Sequence, residues 1–439
     1  MTPRPHRLHL RSALRLTIGL IVVAFLACSA ITPAAQAQSS VTLTIWGGTA
    51  STYMAGLAGW EQAHPDIKVK MLTGDIGNLP VKILLYNRLG AGWPDVTFDY
   101  QPENIASYIT PNFNFPLDLT PYISKSVLAN YATSANSLCI SAGHLYCLRN
   151  DLGQDVLWYN TKLMKQFGYT VPTTWEQYEA LGLRLAKEHP GYVIGTFDAN
   201  AENIYLQPSQ CPAHQLINPT TVRINVQESP QCTRAASMLD TLIKANAIAK
   251  FGLFSKDMAA LGHADKILMI PAASWFGDFI LKPSYQIPAG EMAAAPPPRW
   301  AANTVAWDGA EGGGIWMVSR HTAYPKQAAA LATWLSTQGS GHLALEPTFP
   351  AYLPAANSWA ARLVHDPFYA TDPFPVLKAA APLIDPQWSY VRFDAGNGDF
   401  AQTVASSVLA GGTVTGSLAA YQKRLVAEAR TDGYTVVTR

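Results

Sequence analysis

Strand-like and helix-like segments alternate from Val41 to Tyr100, stop at a run of polar residues, and then start again. "VTLTIW", "IKVKML" and "DVTFDY" read as strands. Between them, residues 52–64 place Met54, Leu57, Ala58 and Glu61 at helical spacing before Pro65. "LPVKILLYNRLG" likewise sets Val81, Leu84, Leu85 and Leu89 on one face and closes at Gly90. Such alternation predicts an α/β layer with a mainly parallel sheet. It resumes with the strands "DVLWYN", "KILMIPAASW" and "GGGIWMVS". Helices are expected over "TKLMKQFG", over "TTWEQYEALGLRLAKE", where Thr173 or Thr174 has capping-box spacing, and over "YPKQAAALATWLSTQ". At 439 residues the chain is too long for one core, so two units are expected.

The first residues have the form of an export signal, assigned to residues 1–37. Arg4, Arg7, Arg11 and Arg15 precede the apolar run 16–27, and Ala35-Gln36-Ala37 suits signal cleavage. Cys28, in "FLAC", opens a second reading as a lipidated cysteine, so a freely exported and a lipid-anchored protein are both compatible with the sequence. The chain carries 31 Lys and Arg, these four included, against 30 Asp and Glu, which leaves no basic surface for nucleic acid. Four further cysteines in an exported chain favour disulfides. Cys139 and Cys147 flank "ISAGHLY", where a three-residue turn at Ala142-Gly143-His144 sets them across a hairpin; Cys211 and Cys232 pair by elimination. Zinc is disfavoured, because no C-x-x-C pair or histidine ligand spacing occurs.

Residues 149–155, "RNDLGQD", are polar in a chain with only 14% charged residues, and they separate two strand-like segments. A surface loop explains them; so does a passage between two lobes. The order of "GWEQAHPDIKV", "GWPDV", "GHLYCLRNDLGQDVLWYN", "TTWEQYEAL", "KILMIPAASW" and "EGGGIWMVS" resembles the extracellular solute-binding proteins of ABC importers, in the carbohydrate-binding branch that includes the maltose-binding protein. That resemblance implies two lobes, each a mainly parallel sheet flanked by helices, with sugar held in the cleft. Residues 41–150 with 315–345 would form one lobe, and 151–314 with 346–439 the other. The chain would cross at 149–155, at 311–314 and at 349–355. The implied partners are a carbohydrate and the membrane permease, for a monomer with no cofactor or metal.

Sugar recognition needs aromatic faces for C–H groups and polar side chains for hydroxyls. The chain has 12 Trp and 19 Tyr, and several stand at element ends, where α/β clefts form. Candidate ligand contacts are Trp46, Asp99 and Tyr100 after the first strands, and Asp151 and Gln154 in the first crossing. Trp275 follows "MIPAAS", Gly313 and Gly314 lie in the glycine run, Tyr352 is in the third crossing, and Trp388 is in "DPQWSY". Each has a bland alternative: Trp46 as core, Asp99 as a helix cap, the glycines as a hinge. Trp60, Trp175 and Trp334 sit at core spacing.

Two other readings use the same residues. A glycosidase needs two carboxylates across the cleft, which Asp99, Asp151 and Asp155 supply in principle. G-x-S-x-G, H-E-x-x-H and P-loop signatures are missing, and the pattern is that of a binder and not an enzyme. A polyamine receptor of the same form would also want those carboxylates. An iron receptor is disfavoured, because no Tyr-Tyr pair occurs.

Overall fold

The computed structural model describes residues 40–47, 51–72, 76–133, 135–337, 343, 346–385, 388 and 391–439. The expected export signal, with Cys28 and the cleavage site, lies outside them. The three N-terminal strands form as expected. Val41–Trp46 pairs in parallel with Ile67–Leu72 on one side and Val96–Asp99 on the other. Helices Ser51–Ala63 and Leu79–Leu89 connect them, the second ended by Gly90 in a left-handed conformation at φ 67°. Ile315–Val318 joins the far edge antiparallel, followed by Leu148–Arg149, so this sheet is mixed.

The second sheet corrects the expectation of parallel strands. Asp155–Asn160 lies between Met269–Ala273 and Met292–Ala295 and is antiparallel to both. Pattern and length carry no information about strand direction. "DVLWYN" enters this sheet straight from the crossing, and its neighbours run the opposite way. Met269–Ala273 is buried along its whole length, as an apolar run predicts. Parallel pairing survives beside it in Gly195–Thr196 with Ile248–Ala249.

The three expected crossing segments lie side by side. Asp151–Leu152 is antiparallel to Phe349–Pro350. The Glu311 N–H donates to the Gly153 carbonyl at 2.8 Å, and the Asp155 N–H to the Gly309 carbonyl at 3.0 Å. The polar run between the strands therefore mostly wires the crossings together. Asn150 donates from Nδ2 to Glu346 Oε2 and accepts at Oδ1 from the Trp316 indole. Asp151 Oδ1 accepts the Gly314 N–H at 2.7 Å.

Helix Leu79–Leu89 turns the opposite way from its sequence reading. Leu79 and Ile83 are buried, whereas Val81, Leu84, Leu85 and Leu89 are exposed. The segment is apolar on more than one side, so its pattern does not identify the inner face. Helix Trp175–Glu188 is capped as one of the two expected boxes predicts, with the Gln177 N–H on Thr174 Oγ1. Trp60 and Trp175 are core residues; Trp334 is half-buried and donates to the Gly56 carbonyl.

Both expected disulfides form, Cys139–Cys147 and Cys211–Cys232. The hairpin turn has two residues instead of three: Ser141 faces His144, and Ala142 and Gly143 both have positive φ, at 51° and 84°. Those angles suit the right-handed twist of a tight hairpin. Cys232 lies in the first turn of helix Pro230–Lys244, so its bond ties that helix start to the loop at Cys211. Replacing Cys211 and Cys232 together by Ser is expected to cost about 2–4 kcal/mol by freeing the unfolded chain. Urea unfolding checks this, and an unchanged midpoint would refute it.

Candidate functional site

One cavity of about 630 Å³ gathers residues from both sheets and from the crossings. The first sheet contributes Phe98 at the end of a strand, with Tyr100, Gln101 and Glu103 in the turn beyond it. Asp99 builds that turn. Its buried carboxylate accepts from the Tyr108 hydroxyl at 2.6 Å, from Asn104 Nδ2 at 2.9 Å and from the Gln101 N–H at 2.9 Å. Burial raises the Asp99 pKa, and these bonds oppose the rise.

The second sheet contributes Trp275, two residues past the strand Met269–Ala273. Its ring is half-buried, and its indole N–H donates to the Glu311 carbonyl at 2.9 Å. Phe254 lies parallel to it within 4°, with ring centres 6.1 Å apart, and Phe279 meets it edge-on. Phe254, Phe279 and Tyr100 are 62%, 53% and 46% exposed, so the cavity presents open aromatic faces. Trp388 also lines it, edge-on to His214 at 4.4 Å.

Three wall segments are coiled more widely than an α-helix. The Gln207 N–H reaches the Glu202 carbonyl, Lys282 reaches Gly277, and Asp399 reaches Asp394. Each is a five-residue step, a geometry that recurs at functional sites. From these segments Glu202, Asn203, Phe279, Ala395 and Gly396 face the cavity.

Of the expected contacts, Tyr100, Asp151, Trp275, Gly313, Gly314 and Trp388 come together around this cavity. The other four do not line it. Trp46 is buried beside Tyr86 in the first sheet. Asp99 is spent on the turn just described. Gln154 donates to the Leu377 carbonyl, and Tyr352 packs edge-on against Tyr131. The glycines answer a packing need: a Cβ on Gly313 would sit 2.1 Å from Arg149 Nη2, and one on Gly314 would sit 2.1 Å from the Phe98 ring. Sequence reasoning missed Glu103, Glu311 and Glu346, although Glu311 opens the quoted "EGGG" and Glu346 stands three residues before a crossing. It also missed Phe279, whose spacing of four from Trp275 is a helical same-face signal.

Glu346 and Glu103 are both pushed up from 4.5 to about 8 by burial. Glu103 lines the cavity and is half-buried, and Asp99 and Asp394 add repulsion to the effect of burial. Asp151 and Glu311 are also raised, each chiefly by burial. Between about pH 4.5 and 8 the folded protein therefore holds protons that the unfolded chain has released. Their stabilising contribution is full below the unfolded pKa and is lost as pH rises through the folded one. The ligand-free protein is expected to melt lower as pH rises through this window, and Glu346→Gln to flatten part of the trend. Melting curves at a pH series check this; a variant with the wild-type slope contradicts it.

A family model described as bacterial extracellular solute-binding protein matches residues 46–341. An arabinooligosaccharide-binding protein of Bacillus subtilis (strain 168) is 26% identical over 209 residues, 44% of this chain and 46% of that one. The match thus spans about half the length of that relative. Among solved structures, the galacto-N-biose/lacto-N-biose I-binding protein of an ABC transporter from Bifidobacterium longum, in complex with lacto-N-biose, aligns at a TM-score of 0.77 and 20% identity, covering 91% of this chain and 99% of that one. An ABC transporter associated binding protein from B. animalis subsp. lactis, in complex with β-1,6-galactobiose, aligns at 0.74 and 19% identity over 90% and 99%. These likenesses establish the two-lobed α/β fold.

Proposed function

The chain belongs to the bacterial extracellular solute-binding proteins, and from that premise we propose that it captures a sugar or oligosaccharide in the cleft and delivers it to the membrane permease of an ABC importer. The observation that carries this reading is the pairing of open aromatic faces, Trp275 foremost, with carboxyl groups around one cavity of about 630 Å³. That volume suits a small ligand that is largely enclosed. The ligands named for the relatives above are of this class. The protein acts as an exported, monomeric binder, not as an enzyme or a nucleic-acid binder. No helix among the described residues is long and apolar enough to cross a membrane.

A thermal-shift screen with sugars, polyamines and amino acids tests the reading. A ligand at about a hundred times its dissociation constant adds roughly 2.7 kcal/mol to stability. Stabilisation by amino acids alone, or by nothing in the panel, would refute it.

Closure is expected to turn on the three hydrogen-bonded crossings, because small backbone rotations there move whole lobes without repacking a core. Small-angle scattering should record a smaller radius of gyration at saturation with the sugar found in the screen. An unchanged radius counts against hinge closure.

A further inference from the structure

We infer that the ligand carries a protonated amine, so that the preferred substrate class is amino sugars and their oligosaccharides. This rests on the carbohydrate reading above and narrows it. Six carboxyl side chains line the cavity: Glu103, Asp151, Glu202, Glu311, Glu346 and Asp394. Among the described residues no lysine or arginine does so; the basic residue in the lining is His214, with Nε2 3.4 Å from Glu202 Oε1. A neutral sugar can be gripped by carboxylates, but it gives no reason for such an imbalance.

A second observation points to a missing partner. Glu311 is 7% exposed and Glu346 2% exposed, and both line the cavity. Oε2 of Glu311 and Oε1 of Glu346 have no hydrogen-bond partner. Glu346 uses its other oxygen for Asn150 Nδ2 at 2.9 Å and the Thr348 hydroxyl at 3.4 Å. An orphaned carboxyl oxygen buried at a binding wall is costly until a donor arrives, and an ammonium supplies donors and charge together. The aromatic faces agree with this. Trp275, Phe254, Phe279 and Tyr100 hold a sugar's C–H face and also attract a cation through their ring electrons.

The charged surroundings give the inference a proton signature. Glu346 faces Asp151, and the Arg362 guanidinium donates to its backbone carbonyl at 3.3 Å. Glu311 faces Asp155, Asp198 and Glu103. Glu103 faces Asp99 and Asp394, with Arg149 opposing them. Arg149 is buried and donates to the Asp151 carbonyl from Nε and Nη2. With so little positive charge nearby, Glu346 and Glu103, both pushed up to about 8, hold protons near neutrality. A cation arriving beside them favours the ionised form, so binding expels a proton.

The test is calorimetry at pH 7 on gluco- and galacto-configured amino disaccharides, their N-acetylated and hydroxyl counterparts, and spermidine. The free amino sugar is expected to bind about tenfold or more tightly than its N-acetylated counterpart, with release of about one proton. Runs in two buffers of different ionisation heat count that proton. Glu311→Gln and Glu346→Gln are each expected to shrink the ratio of amino to N-acetylated affinity. Equal or tighter binding of the uncharged members, without proton release, overturns this inference and leaves the carbohydrate reading standing. Binding of spermidine with no sugar overturns both, and binding of no member overturns this inference. A variant that does not fold leaves the decision to the wild-type ratio and proton count.

Discussion

Gly153→Ala is expected to destabilise the protein by more than about 3 kcal/mol, the upper end for overpacking, although it adds one methyl group to a connecting segment. A Cβ at this position would lie 2.0 Å from the Glu311 carbonyl oxygen and 2.8 Å from its carbon. Both are backbone atoms, so no side chain can swing aside. The same two residues share the hydrogen bond from the Glu311 N–H to the Gly153 carbonyl. Relief of the clash therefore separates two crossings at their contact. The bond from Asp155 to Gly309 and the Trp275 indole bond to Glu311 lie next to it. Gly143→Ala is the control. It has a positive φ of 84° but nothing within 4 Å of the added carbon, so only local backbone strain of about 1–2 kcal/mol is expected. Urea unfolding of the two variants compares them. If Gly153→Ala costs no more than Gly143→Ala, the close contact between crossings is wrong.

The same crossing explains what the sequence could and could not convey. Polar residues in a chain of few charges stood out, and their placement between two strands marked the passage. Their role did not follow from that, because "RNDLGQD" has no marker separating side chains that bind a ligand from those that bind another crossing. Asn150 does neither with its side chain, which bonds Glu346 and Trp316, and Gln154 donates to the Leu377 carbonyl in the helix Phe374–Ala380. The place of Trp275 beside the cavity was legible because a large ring after Ala272-Ala273-Ser274, at the end of a wholly apolar strand, needs space that its neighbours leave open. Trp46 also ends a strand, yet it is buried near Tyr86. Strand ends locate the cleft side of a sheet without saying which rings reach the cleft. The carboxyls were the hardest to find. Glu103 follows a turn fixed by Asp99, and Glu202 sits on a widened helical turn, neither of which leaves a residue pattern. Strand direction in the second sheet and the inner face of Leu79–Leu89 were lost for a related reason: periodicity ranks faces and says nothing of what packs on them.

Trp275→Ala is expected to weaken sugar binding by roughly five- to two-hundred-fold while leaving the protein folded. The range corresponds to about 1–3 kcal/mol for one lost stacking platform, by analogy with base–aromatic stacking. The structure separates this ring from the core tryptophans. Trp158 is fully buried, donates to the Ala273 carbonyl and stacks on Tyr369, so Trp158→Ala should cost about 3–5 kcal/mol of stability. Trp275 is half-buried and lines the cavity, so much of its surface is already wet and its removal opens no sealed void. Its indole N–H bond to Glu311 fixes the plane of the ring, and Phe254, parallel within 4°, supports it from the side. Trp275→Phe distinguishes the two contributions, since phenylalanine keeps an aromatic face and lacks the N–H. If stacking dominates, Phe restores most of the affinity that Ala loses; if orientation through Glu311 dominates, Phe binds almost as poorly as Ala. Calorimetry with the sugar found in the thermal-shift screen gives the affinities, and melting curves on the same samples give the stabilities. Wild-type affinity in a folded Trp275→Ala protein, or a loss of stability equal to that of Trp158→Ala, would remove Trp275 from the binding site.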